Sequence, residues 1–378
     1  MDPKDLLART QQKLPWLLQH LRQLVEVESP SEDPAAVNRA QELTAKWADA
    51  LGARIKRHRQ KSYGDVYELR FGPPRSKQKP ILILSHLDTV WPHGTLKSMP
   101  WRDDGNKLSG PGVLDMKAGV VMALTAASVL RETNSLRPVT LLINSEEEIG
   151  SPISRPITER LAKESQAVFV LEPAQGLALK TARKGVGNYN VHVTGIGAHS
   201  GVDFERGRSA VLELARQIEK IAAFTDLKRG LTVNPGVISG GTRSNVIAAE
   251  AHAEIDVRIA RTSDEKRVDR LFRSLRPIDK ACALTITGGI NRPPMERSPA
   301  IAAWFQRARA LAREMGWKLQ EASTGGGSDG NFTAALGVPT LDGMGAIGAG
   351  AHAAHENILT EHIVPRTALL AAMLATTT

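Results

Sequence analysis

The chain has 378 residues, 42% hydrophobic and 24% charged, with a formal net charge of +9. That length favours two domains over one, and 4% aromatics excludes the base-stacking surfaces of single-strand binders. The basic residues are spread along the chain without a nucleic-acid recognition motif, so they suit a field that attracts acidic small molecules.

The single cysteine, Cys282, excludes an intrachain disulfide and reads as a small core residue in the apolar run 281–286. The first residues, Met1-Asp2-Pro3-Lys4-Asp5, lead into an amphipathic stretch with no apolar h-region. No signal peptide and a cytoplasmic protein are therefore expected. No window reads as apolar enough to span a membrane.

In chain order, residues 14–28 repeat apolar positions at helical spacing and stop at Ser29-Pro30-Ser31. Asp33-Pro34 opens a helix over 35–51, closed by Gly52. A strand is expected over 65–70 and a buried one over 80–84, running into Ser85-His86-Leu87-Asp88. Gly110-Pro111-Gly112 leads through Asp115 into a small-residue helix over 117–132. The apolar run 138–143 reads as a buried strand and delivers Glu146-Glu147-Glu148. A helix over 156–164 and a strand over 167–171, ending at Glu172, complete a βα alternation typical of a sheet with covered faces. In such sheets ligands gather at the carboxyl ends of strands.

The texture changes near residue 180. Strands over 188–194, 232–238, 246–259 and 281–287, with helices over 209–222 and 263–275, give a β-α-β-β-α-β order. That is the split motif of a ferredoxin-like domain. Helices over 298–315 and 359–375 flank a glycine turn, Gly325-Gly326-Gly327-Ser328, a strand over 338–342 and a loop with His352 and His355. The expected organisation is a catalytic domain in two parts, 1–181 and 295–378, with 182–294 inserted.

An acidic triplet is ordinarily a solvated turn, and His86-x-Asp88 is ordinarily a hydrogen-bonded pair. Asp115 alone would read as a helix cap. Together, however, two histidines (His86, His352) and three carboxylates (Asp115, Glu148, Glu172) fall at strand ends or in loops. Mixed N/O ligands suit zinc, and imidazole argues against magnesium or calcium. Five ligands exceed the three of one catalytic zinc. They fit two zincs sharing a carboxylate about 3.5–4 Å apart. Glu147, outside that set, fits the role of the base that takes a proton from water and passes it to the leaving amine.

These residues resemble the co-catalytic zinc amidohydrolases that include glutamate carboxypeptidases, acetylornithine deacetylases and succinyl-diaminopimelate desuccinylases. The resemblance runs from about residue 80 to 358 through SHLDTV, GPGVLDMKAG, SEEEIGS, LEP, GIGAHSG, RSNVIAAEAHAEIDVR, TGGGSD and GAHAAHE. It is strongest toward the glutamate carboxypeptidase branch. The fold it implies is an α/β mixed-sheet catalytic domain with an inserted ferredoxin-like α+β lid and dimerisation domain. It implies two Zn2+ per subunit bridged by Asp115. His86 and Glu172 would complete one site, and Glu148 and His352 the other. Asp88 would orient His86, and Glu147 would be the base and acid.

The resemblance further implies that His199 reaches a partner subunit's active site. Asn245 and Arg258 would bind substrate, Arg258 by forking onto its carboxylate, and Gly327 and Ser328 would lie against the same end. A homodimer through the inserted domain is expected, with no nucleic-acid or membrane partner. The acidic pair of the family is a triplet here, so the register is set by Gly150-Ser151, and His352 is preferred to His355 by its spacing to Glu356. The expected activity is cleavage of an amide bond next to a free carboxylate, with C-terminal glutamate as the leaving group. A deacylase or dipeptidase is the alternative, and a non-catalytic binding protein of the same fold the more distant one.

Overall fold

The computed structural model describes residues 2–375. The chain forms two compact units. One comprises the chain up to Ala182 with Arg297–Ser323 and everything from Ser328 on; the other comprises Arg183–Glu296 with Thr324–Gly327.

The first unit is built on a six-stranded mixed sheet. Its order is Arg54–His58, Val66–Phe71, Val139–Asn144, Ile81–His86, Ala167–Val170 and Thr340–Leu341. The last four run parallel, and Val66–Phe71 pairs antiparallel with the strand on each side of it. Ile81–His86 and Val139–Asn144 are buried at every position, as near-continuous apolar runs in the middle of a covered sheet should be. Arg54–His58 is a mostly exposed edge strand of sequence RIKRH, and its charges hide it from hydrophobic patterning. The helix Pro3–Gln12, capped by Asp2, is likewise an element that apolar spacing does not separate from its successor, Leu14–Val25.

Parallel pairing sets His86 beside Asn144. The residues after Asn144, the end of Ile81–His86 and the residues after Val170 therefore emerge together along one edge of the sheet. Leading toward that edge, Val113–Lys117 makes a wide turn with non-helical Asp115 and Met116, followed by the helix Ala118–Glu132. The expectation that no segment is apolar enough for a membrane is corrected here. Val113–Glu132 is 20 residues long with a mean hydropathy of 1.7 and meets that criterion by length and composition. Its charges lie at its ends, Asp115 and Lys117 at one and Arg131 and Glu132 at the other, and leave the middle apolar. In the fold it is a core helix, 94% buried over its apolar window. Gly119 lets it come this close: a Cβ there would stand 2.5 Å from the Leu171 carbonyl oxygen.

The second unit has the ferredoxin-like β-α-β-β-α-β order. Its antiparallel sheet runs Thr232–Gly240, Glu250–Ile259, Gly185–Thr194, Ala283–Arg292. Gly185–Thr194 alternates buried and less buried residues, so one face packs on the helices Ala210–Ala222 and Glu265–Arg273. Tyr189 stacks on Phe272 with ring centres 3.8 Å apart, and Cys282 lies in the same core. The strand expected over 246–259 is two pieces: Val246–Ile247 pairs with Ala198–His199, and Glu250–Ile259 joins the main sheet.

Candidate metal centre

Six side chains of the first unit converge beyond the sheet edge. His86, 1% exposed, directs Nε2 to within 3.3 Å of Asp115 Oδ1 and 3.7 Å of Glu172 Oε1. His352 Nε2 lies 3.3 Å from Asp115 Oδ2 and 3.2 Å from Glu148 Oε2. Asp115 thus offers one oxygen to each histidine. Two overlapping groups, His86 with Asp115 and Glu148, and His86 with Glu147 and Glu172, have ligand atoms within 4.8 Å of one another. By distance alone Glu147 belongs to the cluster as much as Glu148 does. His352 and His355 are both exposed and enter neither group, but His352 meets Asp115 and Glu148 at the distances above.

The donor set fits a divalent cation. His86 Nε2, Asp115 Oδ1 and Glu148 Oε1 are buried and form no hydrogen bond. Orphaned buried lone pairs are costly unless something positive answers them. His86 Nδ1 stands 3.0 Å from the Asp88 carbonyl oxygen, which only accepts, so in the neutral ring Nδ1 carries the proton and Nε2 presents its lone pair to the cluster.

The electrostatics agree. Burial pulls the His86 pKa down, but the carboxylates of Asp115, Asp88 and Glu147 outweigh it and hold it well above the ordinary value. Asp115 and Glu148 raise His352 to about 10. Burial works to raise Asp115, yet its two histidines bring it below the usual carboxylate range. Burial and the neighbouring Asp115 push Glu148 up, against His352. A pocket that holds protons this tightly on its nitrogens is built to hold positive charge.

The glutamate run separates into distinct tasks. Glu146 is fully buried and is neither solvated nor turned to the cluster. It accepts from Ser145 Oγ (2.6 Å), Ile153 N (3.1 Å) and Ser154 N (2.6 Å), tying the run to the start of the helix Arg155–Glu164. The Asp88 carboxylate accepts from the backbone N–H of Glu147 and Glu148, both at 3.1 Å, and from Ser31 Oγ at 2.8 Å. The resemblance has Asp88 steer His86 by its side chain; its carboxylate lies 3.4 Å from Nδ1 and chiefly grips the glutamate backbone, while its carbonyl meets the ring. Asp329 accepts from Asn144 Nδ2 and Ser151 Oγ and holds the run from the other side.

Asp329 carries no signal in the sequence because its partners lie far along the chain, and Glu146 carries none because its partners, though within 8 residues, are main-chain and hydroxyl groups that no apolar pattern marks.

Ser328, expected against the substrate end, follows Gly327 directly in the glycine turn. Its side chain is fully buried, donates to Asp342 and accepts from Gly330 N, so its hydroxyl is not presented to a ligand.

His199, Asn245, Arg258 and Gly327 belong to the second unit. His199 and Asn245 are exposed neighbours: His199 pairs with Val246, and Ser200 N donates to the Asn245 carbonyl at 3.0 Å. Arg258 forks onto Asp256 through Nε (2.9 Å) and Nη2 (2.8 Å) and turns Nη1 toward the Gly325 carbonyl. The Gly327 carbonyl accepts from Arg183 at 3.2 Å, and a Cβ on Gly327 would sit 2.6 Å from Val186 Cγ2.

A family model described as peptidase family M20/M25/M40 matches residues 82–376. The chain is similar to carboxypeptidase G2 of Pseudomonas sp. strain RS-16, 29% identical over 95% of this chain and 88% of that one. It is also 28% identical to a probable carboxypeptidase of Arthroderma benhamiae, over 73% of this chain and 66% of that one. Among solved structures, an M20 family metallo-carboxypeptidase from Sulfolobus solfataricus superposes with a TM-score of 0.75 at 19% identity, over 95% of this chain and 98% of that one. The aminopeptidase PepT of Bacillus cereus gives a TM-score of 0.76, also at 19% identity, over 96% of this chain and 98% of that one. At these identities the structures speak for the fold.

Proposed function

As a member of peptidase family M20/M25/M40, to which this chain belongs, it is a metal-dependent hydrolase of the peptidase type, and we propose that it is a two-zinc carboxypeptidase releasing C-terminal glutamate from N-acyl or peptide substrates. The observation that carries the two-metal reading is Asp115, with Oδ1 beside His86 and Oδ2 beside His352. In this reading His86 and Glu172 would hold one ion, His352 and Glu148 the other, and Asp115 would be shared between them. When bound, such a pair polarises a carbonyl and acidifies a water.

The chain's own residues do the rest. The Asp88 carboxylate fixes the backbone of Glu147 and Glu148 so that one can bind while the other moves a proton. The Glu147 carboxylate takes the water's proton and returns it to the leaving amine. Arg258 supplies a planar fork for the free carboxylate of the substrate, exchanging Asp256 for it. Asn245 and the Gly327 backbone line the same end, and His199 donates to the oxygen that gains charge. The excess of basic residues favours an acidic leaving group.

Self-association belongs to the same reading. Thr232–Gly240 is an edge strand of its sheet, with Val237 51% and Ile238 58% exposed, and Phe204 is 68% exposed in the same unit. Open edges and apolar side chains of this kind suit a second copy of the chain.

A hydrolysis screen of the zinc-loaded protein over N-acyl amino acids and dipeptides, read as amino acid release, tests the substrate class. Release of glutamate above other residues is expected. Preference for N-acetyl-ornithine, N-succinyl-diaminopimelate or unblocked dipeptides would replace the carboxypeptidase reading with a deacylase or dipeptidase.

A further inference from the structure

Glu356 is a fully buried carboxylate that the chemistry above does not use. Its Oε2 accepts from Trp91 Nε1 (2.8 Å) and Gly112 N (2.9 Å). Its Oε1 accepts from Leu114 N (2.8 Å) and from Asp115 N (3.1 Å). Three N–H groups of one turn therefore converge with an indole on a single anion supplied from more than 240 residues away in the chain. Such convergent backbone donors form an anion-binding concavity.

The turn is shaped for this. Gly112 has φ +71, and a Cβ there would meet Thr89 Cγ2 at 2.7 Å. Burial pushes the Glu356 carboxyl up and the four donors pull it back. Only a carboxylate can answer four donors at this point. The amide of glutamine has one accepting oxygen, and its NH2 would face an N–H.

Glu356 also ends the loop that carries His352. It precedes Asn357–Leu359, which pairs in register with Lys107–Ser109, Asn357 opposite Ser109. The two loops that bear Asp115 and His352 thus leave adjoining strands, and Glu356 lies where they part. His352 itself is held at φ +62, a conformation that a non-glycine residue keeps only where its flanks are fixed. Those flanks are short turns: Ala353 N donates to Gly350, and Glu356 N to Ala353.

We propose that Glu356 is a positioning residue for the metal centre: it clamps the Asp115 turn by its own N–H groups while anchoring the loop of His352, and so fixes the separation at which Asp115 faces both histidines. The role rests on the two-metal reading above.

Zinc affinity of folded, metal-free protein, read by competition with a chromogenic chelator, tests it, with the visible spectrum of the cobalt-loaded protein as a second readout. E356Q keeps the volume and loses the charge. It is expected to bind zinc about 10- to 100-fold more weakly and to shift the cobalt spectrum, with the metal-free melting transition preserved. Affinity within about twofold of the parent and an unchanged spectrum would overturn the role. If E356Q does not melt cooperatively, W91F decides: it removes one donor and leaves the carboxylate. A weakening of roughly three- to tenfold supports the clamp, and none overturns it. A parent chain that takes up no zinc sinks the metal reading and the clamp together, whereas zinc uptake unaltered in E356Q sinks the clamp alone.

Discussion

In the first unit His86 and Glu146 are buried and Asp88 is wholly so, and each is fixed by backbone groups: His86 by a carbonyl, Asp88 by two N–H groups, Glu146 by three. In the second unit His199 and Asn245 are exposed, and Arg258 is held by Asp256 on its own strand. The first arrangement is settled before any ligand arrives. Charge is gathered under cover, and the side chains cannot relax away from it without breaking main-chain bonds. The second leaves its groups in water, where they cost little and can exchange partners. Rigid groups suit ions of fixed geometry, and mobile ones suit a substrate that must enter and leave.

The largest expected effect lies inside the rigid cluster. Glu147→Gln removes the proton acceptor and should lower kcat by about 10²–10⁴-fold while metal content is unchanged. Full turnover in that variant would make Glu147 a bystander, whereas turnover lost together with bound metal would make it a ligand, which its distance to His86 and Glu172 allows. Next comes Glu146→Ala, in the same triplet. Leaving Ser145, Ile153 and Ser154 without their acceptor should cost about 2–4 kcal/mol in denaturant unfolding. A variant as stable as the parent would show that the run does not depend on Glu146.

The exposed unit should respond differently. Arg258→Ala should raise KM for a carboxylate substrate roughly tenfold or more and leave zinc affinity alone. An equal loss on a substrate whose carboxylate is amidated would remove Arg258 from carboxylate recognition. The smallest effect is one of protons. In the metal-free protein His352, with a pKa raised to about 10, and His86, held well above its ordinary value, are both charged at pH 7. A cation needs the same lone pairs, so binding should release about two protons per chain and strengthen as pH rises. Calorimetry in buffers of different ionisation heat reads this directly, and a heat independent of buffer would contradict it.

The rigid region was the more legible in sequence. Val139–Asn144 and Ile81–His86 are unbroken apolar runs, and a parallel sheet brings the residues beyond their carboxyl ends to one edge. Hydrophobic patterning could not show the support. Asp329 and Glu356 accept from groups far along the chain, and Glu146 from N–H and hydroxyl groups within 8 residues of it, and nothing in apolar spacing reports such pairings. Ser328 sits in a glycine turn that suggests an open surface, yet its hydroxyl points inward to Asp342. Arg54–His58 and Ala178–Arg183 are silent in the sequence because charged or small residues at strand positions carry no apolar period.

The central claim is that Asp115, shared between two histidines, makes a two-ion hydrolase. Adding zinc stepwise to metal-free protein while following both bound metal and amino acid release from an N-acyl-glutamate tests it most directly. The account predicts two ions bound per chain, with hydrolysis appearing as the cluster fills and lost again in Asp115→Ala. Full activity with Asp115→Ala, or hydrolysis by the metal-free chain, would contradict it.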